Sequence, residues 1–187
     1  LARYRQQFPK VEIKLRTGDV VQSLPRVHNE QEDVSIAAKP DQLPPNMAFV
    51  TIGVSPLVFI APTERCEVQA QVDSGQYDWR KLPLIVPEQG LARKRLDQWF
   101  KRKNIRPHIY SEVAGNEAIV SMVSLGFGIG LVPKIVLDNS PLKDSIQVLD
   151  VNPQLKPFEV VMCCLKKRLK NPLISSLWST AKEGIDN

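Results

Sequence analysis

Three glycines at alternate positions, Gly126, Gly128 and Gly130, sit in the stretch IVSMVSLGFGIGLVPKIVL (Ile119 to Leu137) and raise the possibility of phosphate chemistry. A dinucleotide fingerprint runs strand, then G-x-G-x-x-G, then helix, so that the pyrophosphate meets the helix N–H groups. Here Leu131 stands where the third glycine belongs, Pro133 follows closely, and the helical pattern precedes the glycines. The nucleotide reading therefore fails on spacing and on order. In the alternative, Gly126 ends a helix in the left-handed conformation, and Gly128 and Gly130 lie on a strand that another backbone or a ligand approaches closely.

Other reactive residue types are sparse. His28 falls on a helical pattern and His108 opens a strand, with no H-x-x-x-H or C-x-x-C spacing for a metal. No G-x-S-x-G elbow is present, and no serine has a local context that would activate it. These absences argue against an enzyme and call for no cofactor and no metal. The cysteines number three, Cys66, Cys163 and Cys164, and the last two are neighbours in a strand-like run whose side chains alternate between faces. A disulfide framework is not expected, and a reducing cytoplasm is the expected compartment.

The elements that must position any site follow from periodicity. Leu1, Tyr4 and Phe8 share one face of an opening amphipathic helix. VEIKLRTG (Val11 to Gly18) alternates like a half-buried strand. Asp19 is the expected N-cap of a helix over Val20, Val21, Leu24 and Val27, which Pro25 should kink or shorten. Strands are expected at Asp33–Ala38, through Phe49–Pro62, in LPLIVPEQG, in HIYSEVAG, in FGIGLVP, in SIQVLDV and in PFEVVMCCL. Helices are expected around Leu91, Leu96, Trp99 and Phe100, over NEAIVSMVSLG, which is apolar almost all round, and over NPLISSLWSTAK, with Asn171 as N-cap and Pro172 in first position. Gln71–Leu82 reads as turns. Strand and helix alternate, so the class is α/β with mainly parallel pairing.

Composition sets the outer limits. At 43% hydrophobic the chain can bury a core as one domain or two small lobes. No run reaches the ~18 consecutive apolar residues of a membrane span, and LARYRQQFPK lacks the profile of a secretory signal. A net charge of +5 permits anionic partners without specifying nucleic acid.

A resemblance narrows this. VSLGFGIGLVPKIVL resembles the helix–strand signature near the end of the second lobe in effector-binding domains of LysR-type transcriptional regulators. LARYRQQFPKVEIKLRTGD, NEQEDVSIAAKP, SPLVFIAP and PFEVVMCCLKKRLKNPLISSLW resemble further elements of that family in the same order, so the likeness runs over nearly the whole chain. The resemblance implies two Rossmann-like lobes of the type 2 periplasmic-binding-protein kind, joined by two crossover strands. Lobe I would hold residues 1–54 and 166–187, its first strand missing, and lobe II residues 55–165. It implies a small-molecule effector in the cleft between the lobes, a homodimer, with a tetramer in the full-length protein, and promoter contact through a helix-turn-helix domain expected upstream. VEIKLRTGD, PEQGLARKRLDQWFKRKNI and GNEAIVSMVSLGFGIGLVP carry a closer similarity to a member serving branched-chain amino-acid synthesis. An acetohydroxy acid, acetolactate or acetohydroxybutyrate, is then the expected effector.

Candidate contacts come from the places where such folds bind small anions, at strand C-termini and helix starts. Ser55 in GVSP can donate to a carboxylate, or can be an ordinary pre-proline turn serine. Gln89, with the N–H groups of Gly90 and Leu91, can face the cleft, or can form a plain strand-to-helix loop. Asn116 reads first as the N-cap of its helix, a role compatible with ligand contact. Phe127 can wall the apolar side of the site, or can be core. The basic helix residues Arg93, Lys94, Arg95, Lys101, Arg102 and Lys103, and KKRLK at 166–170, read as solvated faces before they read as phosphate-binding surfaces. Two rivals remain at this level: a free periplasmic solute-binding protein for a small anion, and a small α/β enzyme.

Overall fold

The computed structural model describes residues 1–16 and 20–183, Val20 and Val21 by backbone only. The expected N-cap Asp19, with Thr17 and Gly18, lies outside them. Two compact units emerge, one of Leu1–Val54 with the chain from Glu159 onward, the other of Ser55–Phe158.

The first unit begins with helix α1 (Ala2–Gln7), whose Tyr4 is buried and donates its hydroxyl to the Leu173 carbonyl at 3.2 Å. Helix α2 (Val20–His28) continues through Pro25, carrying Val27 into full burial. Strands β1 (Ser35–Ala38) and β2 (Met47–Ser55) follow. After the second unit come β8 (Phe158–Leu165), a 3-10 turn over Lys166–Lys170, and α7 (Pro172–Glu183). Asn171 caps α7 as expected, its Oδ1 accepting the Leu173 N–H at 2.9 Å. The sheet order is β1-β8-β2, with β1 and β8 antiparallel. Cys163 packs with Val27 and Met47 on one face, and Cys164 with Ile174 and Trp178 on the other, as strand alternation requires. Because β8 is the central strand of this sheet, most of it belongs to the first unit, and the chain crosses at Phe158–Glu159, earlier than expected.

Residues 11–16 differ from expectation. They form no strand, and Ile13 and Leu15 are 43% and 73% exposed. Alternation makes a strand only where a ladder receives it, and among the described residues none pairs with this segment.

The second unit is a five-stranded sheet, built from β3 (Leu57–Pro62), β4 (Leu84–Pro87), β5 (Ile109–Val113), β6 (Ile129–Pro133) and β7 (Ile146–Val148) in the order β5-β4-β6-β3-β7. β4 runs parallel to β5 and β6, whereas β3 is antiparallel to β6 and β7. Pairing is thus mixed, the crossover strand β3 entering against the direction of its neighbours. Helices α3 (Glu67–Val72), α4 (Gly90–Arg102), α5 (Asn116–Ser124) and α6 (Lys134–Asp138) complete the unit. The short α3 and α6 were not expected. α5 is buried through Ile119, Val120 and Val123 only, so it presents one apolar face to the sheet and another face to solvent. Ile60, Ile85 and Val132 pack with that face. Phe59, next to Ile60 on β3, points the other way, into an aromatic cluster with Trp79 and Trp99.

The glycine triplet is structural. Gly126 has φ +82°; its N–H bonds to the Val123 carbonyl at 2.9 Å, and the Phe127 N–H bonds to Met122 at 3.2 Å, the paired closure of a Schellman stop. A Cβ on Gly128 would stand 2.4 Å from the Pro83 carbonyl oxygen, and one on Gly130 within 2.8 Å of Ile119 and Val123. What approaches closely is the protein itself: a neighbouring backbone at Gly128 and α5 at Gly130.

Candidate functional site

Parallel strands aim their C-termini, and the helix starts that follow them, at one edge of a sheet. β4 and β5 pair in register with Pro87 beside Val113, and the Glu88 N–H bonds to the Val113 carbonyl at 3.1 Å. The two loops beyond are thereby neighbours. The first leads through exposed Gln89 to Gly90 (φ +89°), which opens α4; the second leads through Gly115 (φ +89°) to Asn116, which opens α5. At both starts the N-cap side chain makes no capping bond, so neither cap residue supplies an acceptor for the first-turn N–H groups. Gly115, not Asn116, occupies the cap: a positive φ suits glycine, and the Asn116 amide is released from that role.

The third helix start on this edge behaves differently. In α6 the Lys134 N–H goes to the Pro56 carbonyl at 2.8 Å and the Ile135 N–H to the Ser55 hydroxyl at 3.1 Å. Ser55 is 2% exposed and donates onward to the Pro56 carbonyl. Its hydroxyl thus accepts one bond and donates another within the fold.

Phe127 is also displaced from the expected set. It precedes β6, at the opposite end of the sheet from Gln89 and Asn116, is 47% exposed, and stacks on Tyr110 near the start of β5 with ring centroids 6.5 Å apart. The structure therefore brings together Gln89, Gly90 and Asn116, sets Ser55 at the α6 start on the same edge, and places Phe127 at the other end of the sheet.

The basic face of α4 is engaged in part. Arg93 is held to Asp97 (3.0 and 3.1 Å), Glu112 (2.8 Å) and the Pro87 carbonyl (3.2 Å). Its partial burial works against the charge, and the bonds to Glu112 and Asp97 outweigh that, holding the guanidinium above its ordinary value. Arg95 donates to the carbonyls of Lys156 (2.9 Å) and Pro157 (2.8 Å) and lies over the Phe158 ring, and Lys103 donates to Asn152 (2.8 Å). These three cations tie the helix to its own unit, while Lys94, Lys101 and Arg102 are exposed, so the face is solvated in part. In KKRLK, Lys167 pairs with Glu30 and Arg168 with Asp33. Sequence reasoning missed Arg93 as a bridge; its i,i+4 spacing to Asp97 was visible, its partner on β5 was not.

A separate cavity of about 360 Å³ in this unit is lined by Pro56–Phe59, Lys134 and parts of 148–155, and none of Gln89, Gly90 or Asn116 reaches it. The His28 ring meets the Asn46 amide, and the His108 ring meets the Lys81 carbonyl. Among the described residues no group of three His, Cys, Asp or Glu side chains could hold a metal, and no helix is long and apolar enough to cross a membrane.

Comparison with known proteins gives the family and the fold. The family model described as LysR substrate binding domain matches residues 1–186. The chain is 42% identical over 181 residues to the HTH-type transcriptional activator IlvY of Salmonella typhimurium, an alignment covering 95% of this chain and 61% of that protein. It thus spans about three fifths of the length of the IlvY relatives it matches. Among solved structures, the Synechocystis CcmR regulatory domain in complex with 2-PG superposes with a TM-score of 0.82 at 18% identity, covering 100% of this chain and 89% of the other. The effector binding domain of QuiR in complex with shikimate gives 0.78 at 22%, covering 100% and 90%.

Proposed function

The chain belongs to the LysR substrate binding domain family, and from that premise we propose that it is the effector-sensing part of an IlvY-like transcriptional activator, responding to a small carboxylate. The observation that carries the reading is the pair of adjacent helix starts at Gly90 and Asn116, whose cap residues supply no side-chain acceptor while α6 is closed by Ser55. Convergent N–H groups at positive helix ends are receptors for a carboxylate, and the Asn116 amide adds a neutral donor for a hydroxyl or carbonyl, while the Gln89 amide, which donates to Glu88 at 3.3 Å, would have to exchange that partner to join it. An acetohydroxy acid offers these three groups together. The 42% identity to IlvY supports acetolactate or acetohydroxybutyrate as the effector and a branched-chain biosynthetic gene as the target.

Control of transcription requires that the ligand bind one conformation of the regulator better than another; equal binding would transmit nothing. DNA contact is assigned to a helix-turn-helix outside this chain, a part that the names of the relatives include. Self-association into a homodimer is part of the same reading. It is supported by β5, an edge strand on which Ile109 and Tyr110 are 38% and 53% exposed.

The test is thermal unfolding of the regulator with acetolactate, acetohydroxybutyrate, valine and citrate in turn. A ligand specific for the folded state stabilises it by about 2.7 kcal/mol at a hundredfold excess over Kd. A raised midpoint with the acetohydroxy acids alone is expected. A shift with another metabolite and none with these two would reject the effector while leaving the family intact.

A further inference from the structure

The bonds of one side chain near the two loops, Arg93, span three elements. It projects from the first turns of α4, and its guanidinium reaches three places at once: Asp97 one turn along the same helix, the carbonyl of Pro87 at the end of β4, and Glu112 on β5, one residue before the strand ends. Pro87 immediately precedes Glu88-Gln89-Gly90, and Glu112 precedes Val113-Ala114-Gly115-Asn116. One planar fork therefore joins the stem of each candidate loop to the helix that starts from the first of them.

We infer that Arg93 is a positioning residue for the effector site, setting the spacing between the Gln89–Gly90 start and the Gly115–Asn116 start through its bonds to Pro87 and Glu112. The inference rests on the proposed effector reading for its consequence, though not for its geometry. β4 and β5 make a short parallel ladder with a register shift between Leu84 and Ile85, and at their loop ends the Glu88 N–H bonds to the Val113 carbonyl at 3.1 Å, so the Arg93 bridge adds a side-chain tie to a single backbone one. The side-chain bridge lies beyond that irregularity, at the end of the strands where the loops emerge. Binding constellations work only when their donors are held to about half an ångström. Asp97 plays a different part: its bond stays within α4 and fixes neither loop.

That difference supplies the test. Glu112→Gln removes the charged arm to β5, Asp97→Asn removes an arm of similar exposure inside α4, and Arg93→Met removes the bridge entirely. Amide hydrogen exchange of the full chain is followed in peptides spanning 86–93 and 112–118, and affinity is followed with 2-acetolactate as probe. Glu112→Gln and Arg93→Met are expected to speed exchange in both peptides together by at least about threefold. They should weaken the probe by about tenfold, the equivalent of one hydrogen bond to a charged group. Asp97→Asn should leave both readouts within about twofold of wild type. Equal effects from Glu112→Gln and Asp97→Asn, or a change confined to one loop, would overturn the inference, since a purely stabilising ion pair behaves that way. If exchange responds as expected while wild type itself does not bind 2-acetolactate, the bridge stands and the choice of effector falls.

Discussion

The indole Nε1 of Trp99 donates to the carbonyl of Pro153 at 2.6 Å, joining the core of α4 to the segment that precedes β8. Lys103 lies over the same indole and bonds to Asn152, so the 152–157 segment hangs on α4 by side-chain donors to its carbonyls. Trp99→Phe keeps a ring in the aromatic cluster and loses the donor. It is expected to destabilise the domain by about 1–2 kcal/mol, and Trp99→Ala by about 3–5 kcal/mol, both read from chemical denaturation. Equal stability of Trp99→Phe and wild type would show that the bond contributes nothing net.

The glycine triplet predicts a graded series. Gly126→Ala places a side chain at φ +82° and should cost about 1–2 kcal/mol. Gly128→Ala drives a Cβ into the Pro83 carbonyl, a backbone atom that cannot rotate away, and should cost about 3 kcal/mol or prevent folding. Unfolding midpoints of the two variants settle the order; the reverse order would refute the packing account.

The buried cysteines predict a pH dependence. Burial pushes the Cys163 and Cys164 thiols up to about 11, above the ordinary value of 9.0. A raised folded-state value means that the folded protein holds the proton longer. The contribution, at most about 3 kcal/mol per thiol, is therefore fully present below pH 9 and is lost as pH rises towards 11. Stability should fall over that window, and less steeply in Cys164→Ala. Native-state alkylation near pH 7.5 should modify Cys66, which is partly exposed, and spare the other two.

If the homodimer uses the β5 edge, Ile109→Lys should shift sedimentation towards the monomer while leaving the unfolding midpoint of the monomer nearly unchanged, because an exposed edge side chain contributes little to its own fold. An unaltered sedimentation profile would place the interface elsewhere.

Much of the site's framework was legible in the residues. The stop at Gly126, the amphipathic run of α4 and the cap at Asn171 depend on neighbours a few positions away, and each formed as its local chemistry requires. The opposite faces of Cys163 and Cys164 followed from strand geometry. The short α3 and α6 carried too little periodicity to register. Asn116 read as a cap because its residue type favours one, and the turn resolved it differently by placing Gly115 at positive φ. VEIKLR alternated as a strand should, and formed none, since no strand among the described residues pairs with it.

The sequence by itself determined the alternation of elements, the family, and the loops at which a small anion would be sought. Tertiary structure decided which of those loops share an edge and which helix starts there lack a side-chain cap. It closed Ser55 against Ile135, turned Phe127 to the far end of the sheet, and drew Arg93 to Glu112, 19 residues away. The physical reason is that periodicity and capping act over one or two helical turns. The partner of a side chain between strands is set by register, which no stretch of either strand carries alone.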